Sequence, residues 1–294
     1  MHKWYHIASR DIDSSVRQGR KSMAVSWRNS SNLIQYGQTQ AVAMNRAVQK
    51  IRSTISFVRR FGVLGFLEEL RYRMADLYYE RRLGVETAGR HTVKDLGFAN
   101  AEFMDYDPIW YREIYSALNK IPLDKSTSTF LDYGSGKGRA VIAAAALPFK
   151  RVIGIEISDR LLAIAQKNLD TMRHKRCKRV ELLLIDATQY VVPGDVNLIY
   201  FYNPFAGQVL QTVINNIYDS YKQSPREMYI VFVNNHHFEN AIKNQPWLTR
   251  IEQRTFHHYD YDHSCGIYVT KASCSQKARR LDPASAEGWE RVTE

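Results

Sequence analysis

From Thr129 onward, short continuous apolar runs alternate with stretches whose apolar positions recur every three or four residues. The runs Thr129–Tyr133, Arg151–Ile157, Val180–Ile185, Val196–Tyr202 and Met228–Val233 predict strands. The stretches Arg139–Leu147, Leu161–Leu169 and Val209–Tyr221 predict helices between them. Strands in regular alternation with helices imply parallel pairing through crossovers on both faces. The runs are apolar throughout, as a sheet covered on both sides requires. Arg250–His258 and Cys265–Lys271 then predict two strands joined by the turn-prone Asp260–Ser264, an antiparallel hairpin at the end of the sheet. The expectation is an α/β fold: a doubly wound, mostly parallel sheet of seven strands.

The chain before this core is organised differently. Residues 1–55 are polar and without a clear period. From Ile55 to Arg82 apolar residues recur at helical steps (Phe57, Phe61, Leu64, Leu67, Leu70, Met74, Leu77) with charged residues between them. Gly62 and Gly65 predict a break near the start of that helix. Its apolar stripe is expected to pack on the neighbouring domain, although the basic flanks would also suit a membrane surface. Gly84–Gly89 reads as a loop, and Pro108–Leu118 as a further helix. No internal repeat is visible. The expected organisation is a basic, partly helical extension over 1–90, a helical lead-in over 91–126, the core over 127–272 and a polar tail over 273–294.

Composition narrows the classes. At 294 residues, 45% hydrophobic and 24% charged, the chain can bury a full core, which excludes wholesale disorder. No apolar run approaches the ~20 residues of a membrane-spanning helix. Three cysteines without a C-x-x-C pair provide neither a disulfide framework nor a zinc knuckle, and a reducing cytoplasm is the expected setting. Of the net charge of +11, residues 1–90 supply most, with 16 Lys and Arg against 7 Asp and Glu. A localised positive field of this kind suits an acidic partner, or simply a solvated helical surface.

In an open α/β sheet, ligands sit beyond the carboxyl ends of the strands. The first such loop reads Asp132-Tyr133-Gly134-Ser135-Gly136-Lys137-Gly138-Arg139. Its alternating glycines let the backbone turn tightly and approach a ligand, and the following helix offers unpaired N–H groups. The spacing is neither that of a P-loop nor the G-x-G-x-x-G of dinucleotide folds. Glu156 ends the second strand, 20 residues beyond Gly136, where a carboxylate suits ribose hydroxyls. Asp186, or the amide of Ala187 beside it, ends the third strand at a place for an adenine edge. The fourth strand ends in Tyr202-Asn203-Pro204-Phe205, which puts polar, rigid and aromatic groups at the centre of the mouth.

With these residues in order, F-L-D-Y-G-S-G-K-G-R-A followed by V-I-G-I-E-I-S resembles the first two motifs of class I S-adenosylmethionine-dependent methyltransferases. Asp132–Arg139, Pro148-Phe149-Lys150, Glu156 and Tyr202–Phe205 are also similar to a bacterial group of such enzymes, in which a Gly84–Gly89-like segment and a Tyr-x-Pro (here Tyr106-Asp107-Pro108) precede the core. The resemblance implies that Asp132 and the loop of Gly134, Ser135, Gly136 and Gly138 hold the methionine part of S-adenosyl-L-methionine. Glu156 would take the ribose and Asp186 the adenine edge, with Ile157 and Ala187 beside them in the cofactor-binding set. Tyr106 is expected either to close over the cofactor or to pack as a buried structural tyrosine. Asn203-Pro204-Phe205 resembles the N-P-P-[YF] motif of amino-group methyltransferases with one proline missing, and is close to the N-N-F of non-SET histone-lysine methyltransferases. It makes these three the expected catalytic residues.

General bases near the mouth would be His236, His237, or the group His257, His258, Tyr259, Tyr261 and His263. The neighbouring Asp260 and Asp262 are as much at home in a turn as around a metal, and no metal site is expected. The reading is N-methylation of an amine on a protein or other macromolecule, with a protein acceptor favoured over nucleic acid. The alternatives are a non-catalytic nucleotide-binding adaptor, a nucleic-acid methyltransferase and an NAD-dependent oxidoreductase.

Overall fold

The computed structural model describes residues 54–234, 236–243, 245–257 and 262–270, together with residues 44, 48–49 and 51–52. At His236, His257 and Asp262 the description covers the backbone alone. The polar tail expected over 273–294 lies outside the described residues. The chain divides into two compact units, Met1–Phe66 and Leu67–Glu294. In the first, residues 54–66 are helical. The helix continues through Gly62 and Gly65, where a break is expected, and Gly62 adopts a local φ of +76°. Phe57 and Phe61, one turn apart, pack with ring centroids 4.8 Å apart.

The second unit begins with helix α1 (residues 67–83). Its apolar stripe does not face the core. Leu67, Leu70, Met74 and Leu77 are exposed, and the face that packs carries Tyr72, Asp76, Tyr79, Glu80 and Leu83. Aromatic rings and a buried ion-pair network, described below, decide the orientation. Tyr79 lies 5.5 Å from Tyr111 and 5.2 Å from Tyr115 between ring centroids. Both belong to α2 (Tyr111–Lys120).

The sheet contains β1 (Thr129–Tyr133), β2 (Arg151–Glu156), β3 (Val180–Leu184), β4 (Val196–Tyr202), β5 (Tyr229–Val233), β6 (Leu248–His257) and β7 (Asp262–Thr270). Their order is β3-β2-β1-β4-β5-β7-β6, parallel except for β7, which is antiparallel to both neighbours. Between them lie α3 (Arg139–Ala145), α4 (Asp159–Thr171), α5 (Gly207–Gln223) and α6 (His236–Ile242). The final hairpin is longer than its apolar run, because pairing with β6 carries β7 back through Ser264 and His263 to Asp262.

Side chains alternate between two cores, as the two-residue period of a strand dictates. Phe130, Val152, Leu198, Tyr200 and Val231 face α2 and α3, and Leu131, Ile153, Ile199, Phe201 and Phe232 face α5. Every residue of β1 is buried, the signature of a central strand covered on both sides. α4 starts where Ser158 Oγ accepts from the Leu161 amide at 3.3 Å, an N-cap worth ~1 kcal/mol. Strand order reverses between β1 and β4, and the crevice at their carboxyl ends is where a ligand belongs.

Candidate active site

That crevice encloses about 1010 Å³ of empty space, part of it open to solvent, enough for a nucleoside-sized ligand. Its walls include Asp132, Gly134, Ser135 and Gly136 from the first loop, Glu156 and Ile157 from the second, Asp186 and Ala187 from the third, and Asn203, Pro204 and Phe205 from the fourth. Tyr106 also lines it, together with apolar residues of the segment 93–109 such as Leu96, Phe98 and Met104. Gly138 of the predicted set is absent from the lining. It caps α3 in left-handed geometry, at φ +84°.

The glycine loop is shaped by close approach. A Cβ on Gly134 would lie 2.5 Å from Pro204 Cβ, and one on Gly136 would lie 2.3 Å from the Tyr106 ring, with φ at +69° and +55°. Both positions therefore combine a left-handed backbone with no room for a side chain. The Gly136 amide donates to Glu156 Oε2 at 2.8 Å, while Glu156 Oε1 accepts from the amides of Ile157 and Ser158. Glu156 thus joins the first two loops as well as facing the cavity. Asp186 has a local task too, accepting from the amide and hydroxyl of Thr188 at 2.8 and 2.7 Å to open a single 3-10 turn.

The electrostatics call for a cation. Asp132 is buried, no donor among the described residues reaches its carboxyl, and burial together with the Glu156 charge pushes it well above its ordinary value. Burial also raises Glu156, against the pull of its three amide donors. Two buried carboxyls that resist ionising alone are suited to a ligand bearing positive charge. Ser135 Oγ and Asn203 Oδ1 are buried without a hydrogen-bond partner among the described residues, so the cavity keeps polar atoms for a ligand. A buried carboxyl for the ammonium of the methionine part, a second carboxyl able to accept from ribose hydroxyls, a glycine cradle that admits no Cβ, and orphaned oxygens fit S-adenosyl-L-methionine.

The fourth strand end is divided in its roles. Asn203 adopts φ +40°, which turns the chain sharply after β4. The Pro204 carbonyl accepts from the Met104 amide at 3.2 Å. Phe205 is nearly buried, edge-on to Tyr133 and Phe201 at 6.4 and 6.2 Å between centroids. Of the three expected catalytic groups, Asn203 alone holds a buried polar side-chain atom without a partner among the described residues.

Residues 84–110 form a strap over the loop. Tyr106 donates to the Thr87 carbonyl at 2.7 Å, and Lys137 Nζ donates to the Ala88 and Gly89 carbonyls. Behind them lies Arg139, a residue that sequence reasoning quoted in the motif without giving it a role. Its guanidinium is buried and pairs with Asp76 and with Glu80, the latter at 3.1 Å, while donating to Thr87 Oγ1 and the Ile109 carbonyl. The signal that could have found it is Asp76 and Glu80 one helical turn apart, on a helix otherwise rich in arginine.

Of the expected bases, His237 is exposed on α6, His258, Tyr259 and Tyr261 lie outside the described residues, and His263 is buried on β7. His263 Nδ1 lies 3.1 Å from Glu113 Oε2 of α2, and its Nε2 lies 3.2 Å from the Tyr202 hydroxyl. Among the described residues no three His, Cys, Asp or Glu side chains gather as a metal site, and no helix is long and apolar enough to cross a membrane.

Residues 130–224 match the family model described as a methyltransferase domain. No curated protein matches the chain. Similar solved structures include an RNA methyltransferase from Salinibacter ruber in complex with S-adenosyl-L-homocysteine, at 20% identity over 55% of this chain and 93% of that one, with a TM-score of 0.43. A ribosomal protein L11 methylase from Lactobacillus delbrueckii subsp. bulgaricus matches at 17% identity over 53% and 75%, with a TM-score of 0.41. Magnesium protoporphyrin IX methyltransferase from Synechocystis with bound cofactor matches at 13% over 54% and 79%, with a TM-score of 0.42.

Proposed function

We propose that this chain is a class I S-adenosylmethionine-dependent methyltransferase that methylates an amine nitrogen on a protein or other macromolecule, a reading supported by the methyltransferase-domain match and the sheet order. The observation that carries the reading is Asn203, a residue of the crevice wall whose buried Oδ1 lacks a donor among the described residues. A carbonyl oxygen placed there accepts an N–H from an incoming amine and holds its lone pair toward the methyl group. As the amine becomes cationic, that contact strengthens, so it stabilises the transition state more than the ground state. A base-methylating clamp would offer a second acceptor from the proline carbonyl. Here that carbonyl already receives the Met104 amide on one of its two lone pairs and the motif's second proline is absent, a weaker clamp that suits an alkyl amine better than a planar exocyclic one.

When bound, the cofactor supplies a methyl group on a sulfonium leaving group. The protein's share is alignment. Asp132 and Glu156 set the charge balance of the cleft, the glycine loop admits the ligand close to the backbone, and the strap with Tyr106 excludes water from one side. Purified protein incubated with radiolabelled cofactor and fractionated lysate should place label in the protein fraction. Asn203→Ala should lower that incorporation by roughly 10²-fold, the scale of one lost transition-state hydrogen bond. Label confined to nucleic acid would overturn the acceptor class, and undiminished labelling by the variant would overturn the role of Asn203.

A further inference from the structure

The wall of the crevice at Tyr202 continues inward as a chain of hydrogen bonds. Tyr202 lines the cavity immediately before Asn203, and its hydroxyl meets His263 Nε2 at 3.2 Å, with the two rings edge-on at 75°. The other ring nitrogen of His263 meets Glu113 Oε2 at 3.1 Å. Glu113 is 2% exposed and His263 7% exposed, and the two are 150 residues apart in sequence. Three elements, β4, β7 and α2, thus bring together the hydroxyl of a cavity-wall tyrosine, an imidazole and a buried carboxylate. A carboxylate at Nδ1 holds the proton on that nitrogen and leaves the Nε2 lone pair directed at the hydroxyl.

We infer that Tyr202, backed by His263 and Glu113, is the proton acceptor for the incoming amine, an inference that rests on the amine-methylation reading above. An alkyl amine reaches the site as its ammonium and has no lone pair until a proton leaves. One N–H proton passes to the Tyr202 oxygen as the phenolic proton passes to His263 Nε2. The amine is then neutral, Tyr202 is again a phenol, and the positive charge rests on an imidazolium opposite the Glu113 carboxylate. After product departs, the proton returns by the same route to solvent. No bond order changes elsewhere and no electrons are exchanged. Tyr202 is the catalytic residue, whereas His263 and Glu113 act through it and are positioning residues.

Among the described residues, the other titratable and charged groups around these three side chains are Cys265 on β7, Glu252 and Arg254 on β6, Tyr200 on β4, Asp132 on β1, and Tyr72 and Arg112 on the helical side. Arg254 pairs with Glu252. Burial raises Cys265 to about 12 and raises Tyr200 well above its usual value, so both stay neutral beside the imidazole.

Isotope-labelled histidine NMR on the full chain with S-adenosyl-L-homocysteine should show His263 protonated at Nδ1 and bare at Nε2, with Tyr202→Phe shifting the Nε2 signal. A proton on Nε2 overturns the relay. In the labelling assay, Tyr202→Phe should transfer about 10²-fold less label than the unaltered protein near neutral pH. That deficit should shrink as pH approaches the free amine's pKa of about 10.4, where deprotonation no longer needs the enzyme. A deficit that does not change with pH, or no deficit, overturns the proposal. Calorimetry on the same variant should return unchanged cofactor affinity, and lost affinity assigns Tyr202 to cofactor binding instead. Absence of label from the unaltered protein in every fraction defeats the methylation reading itself, a result distinct from any of these.

Discussion

Asp132 and Glu156 place two buried carboxyls in one cleft, and their burial sets the proton balance between them. Because burial and the Glu156 charge raise Asp132, the free protein holds a proton there at pH values where an exposed aspartate, at 3.8, has already lost it. A cationic ligand favours the ionised form, so binding must expel that proton. Cofactor affinity should therefore climb as pH rises above 3.8 and level off once the free protein's own carboxyl is ionised. Calorimetry in buffers of differing ionisation enthalpy should detect proton release along the climbing limb, and flat affinity with no release would contradict it. Asp132→Ala should weaken cofactor binding by more than ~1 kcal/mol, the scale of a lost charged hydrogen bond. At Gly136 the constraint is steric. Gly136→Ala puts a Cβ 2.3 Å from the Tyr106 ring at a φ of +55°, so the strap must move. The expected result is a folded protein whose cofactor binding is at least ~10-fold weaker by calorimetry, from a strained backbone of about 1–3 kcal/mol.

Among the elements, Arg139 at the start of α3 is the fastener. It ties that helix to α1 through Asp76 and Glu80, and to the strap through Thr87 and the Ile109 carbonyl. Substituting Arg139→Met keeps much of the stem's volume and removes the charge. Asp76, which burial already pushes up, is left with the Tyr111 amide as its remaining described donor. Breaking a buried pair from one side costs about 3–5 kcal/mol, to be read as a lower denaturant midpoint. The double variant Arg139→Met with Asp76→Leu should recover part of that loss, because both partners leave together. This network also explains why α1 presents its leucines outward. The helix is held by charge and aromatic stacking on one face, and Leu67, Leu70, Met74 and Leu77 occupy the other.

Across the second unit, protection should follow the sheet order. β1 and β4 sit at its centre, fully flanked and buried, whereas β3 and β6 are its edges. Hydrogen exchange should be slowest in β1 and β4 and fastest at the two edge strands. Because residues 93–109 line the cleft, S-adenosyl-L-homocysteine should slow exchange in that segment more than in β6 or β7. Equal slowing everywhere would point to global stabilisation and away from a ligand seated under the strap.

The seven strands, the parallel sense of the first five with an antiparallel hairpin after them, and the polar groups at the strand ends were legible from residue order alone, because a buried strand writes itself as a local apolar run and a tight ligand turn as spaced glycines. Asp132, Gly134, Gly136, Glu156 and Asn203, which line one crevice, are each read within a few residues of a strand end. The outward stripe of α1 runs against its periodicity, which records that a face is apolar and says nothing of which partner another face will find. Arg139 with Asp76 and Glu80, Met104 on the Pro204 carbonyl, and Glu113 with His263 and Tyr202 join residues 59 to 150 positions apart. Contacts at that range are fixed by how helices and loops pack on the completed sheet, and no local pattern carries them.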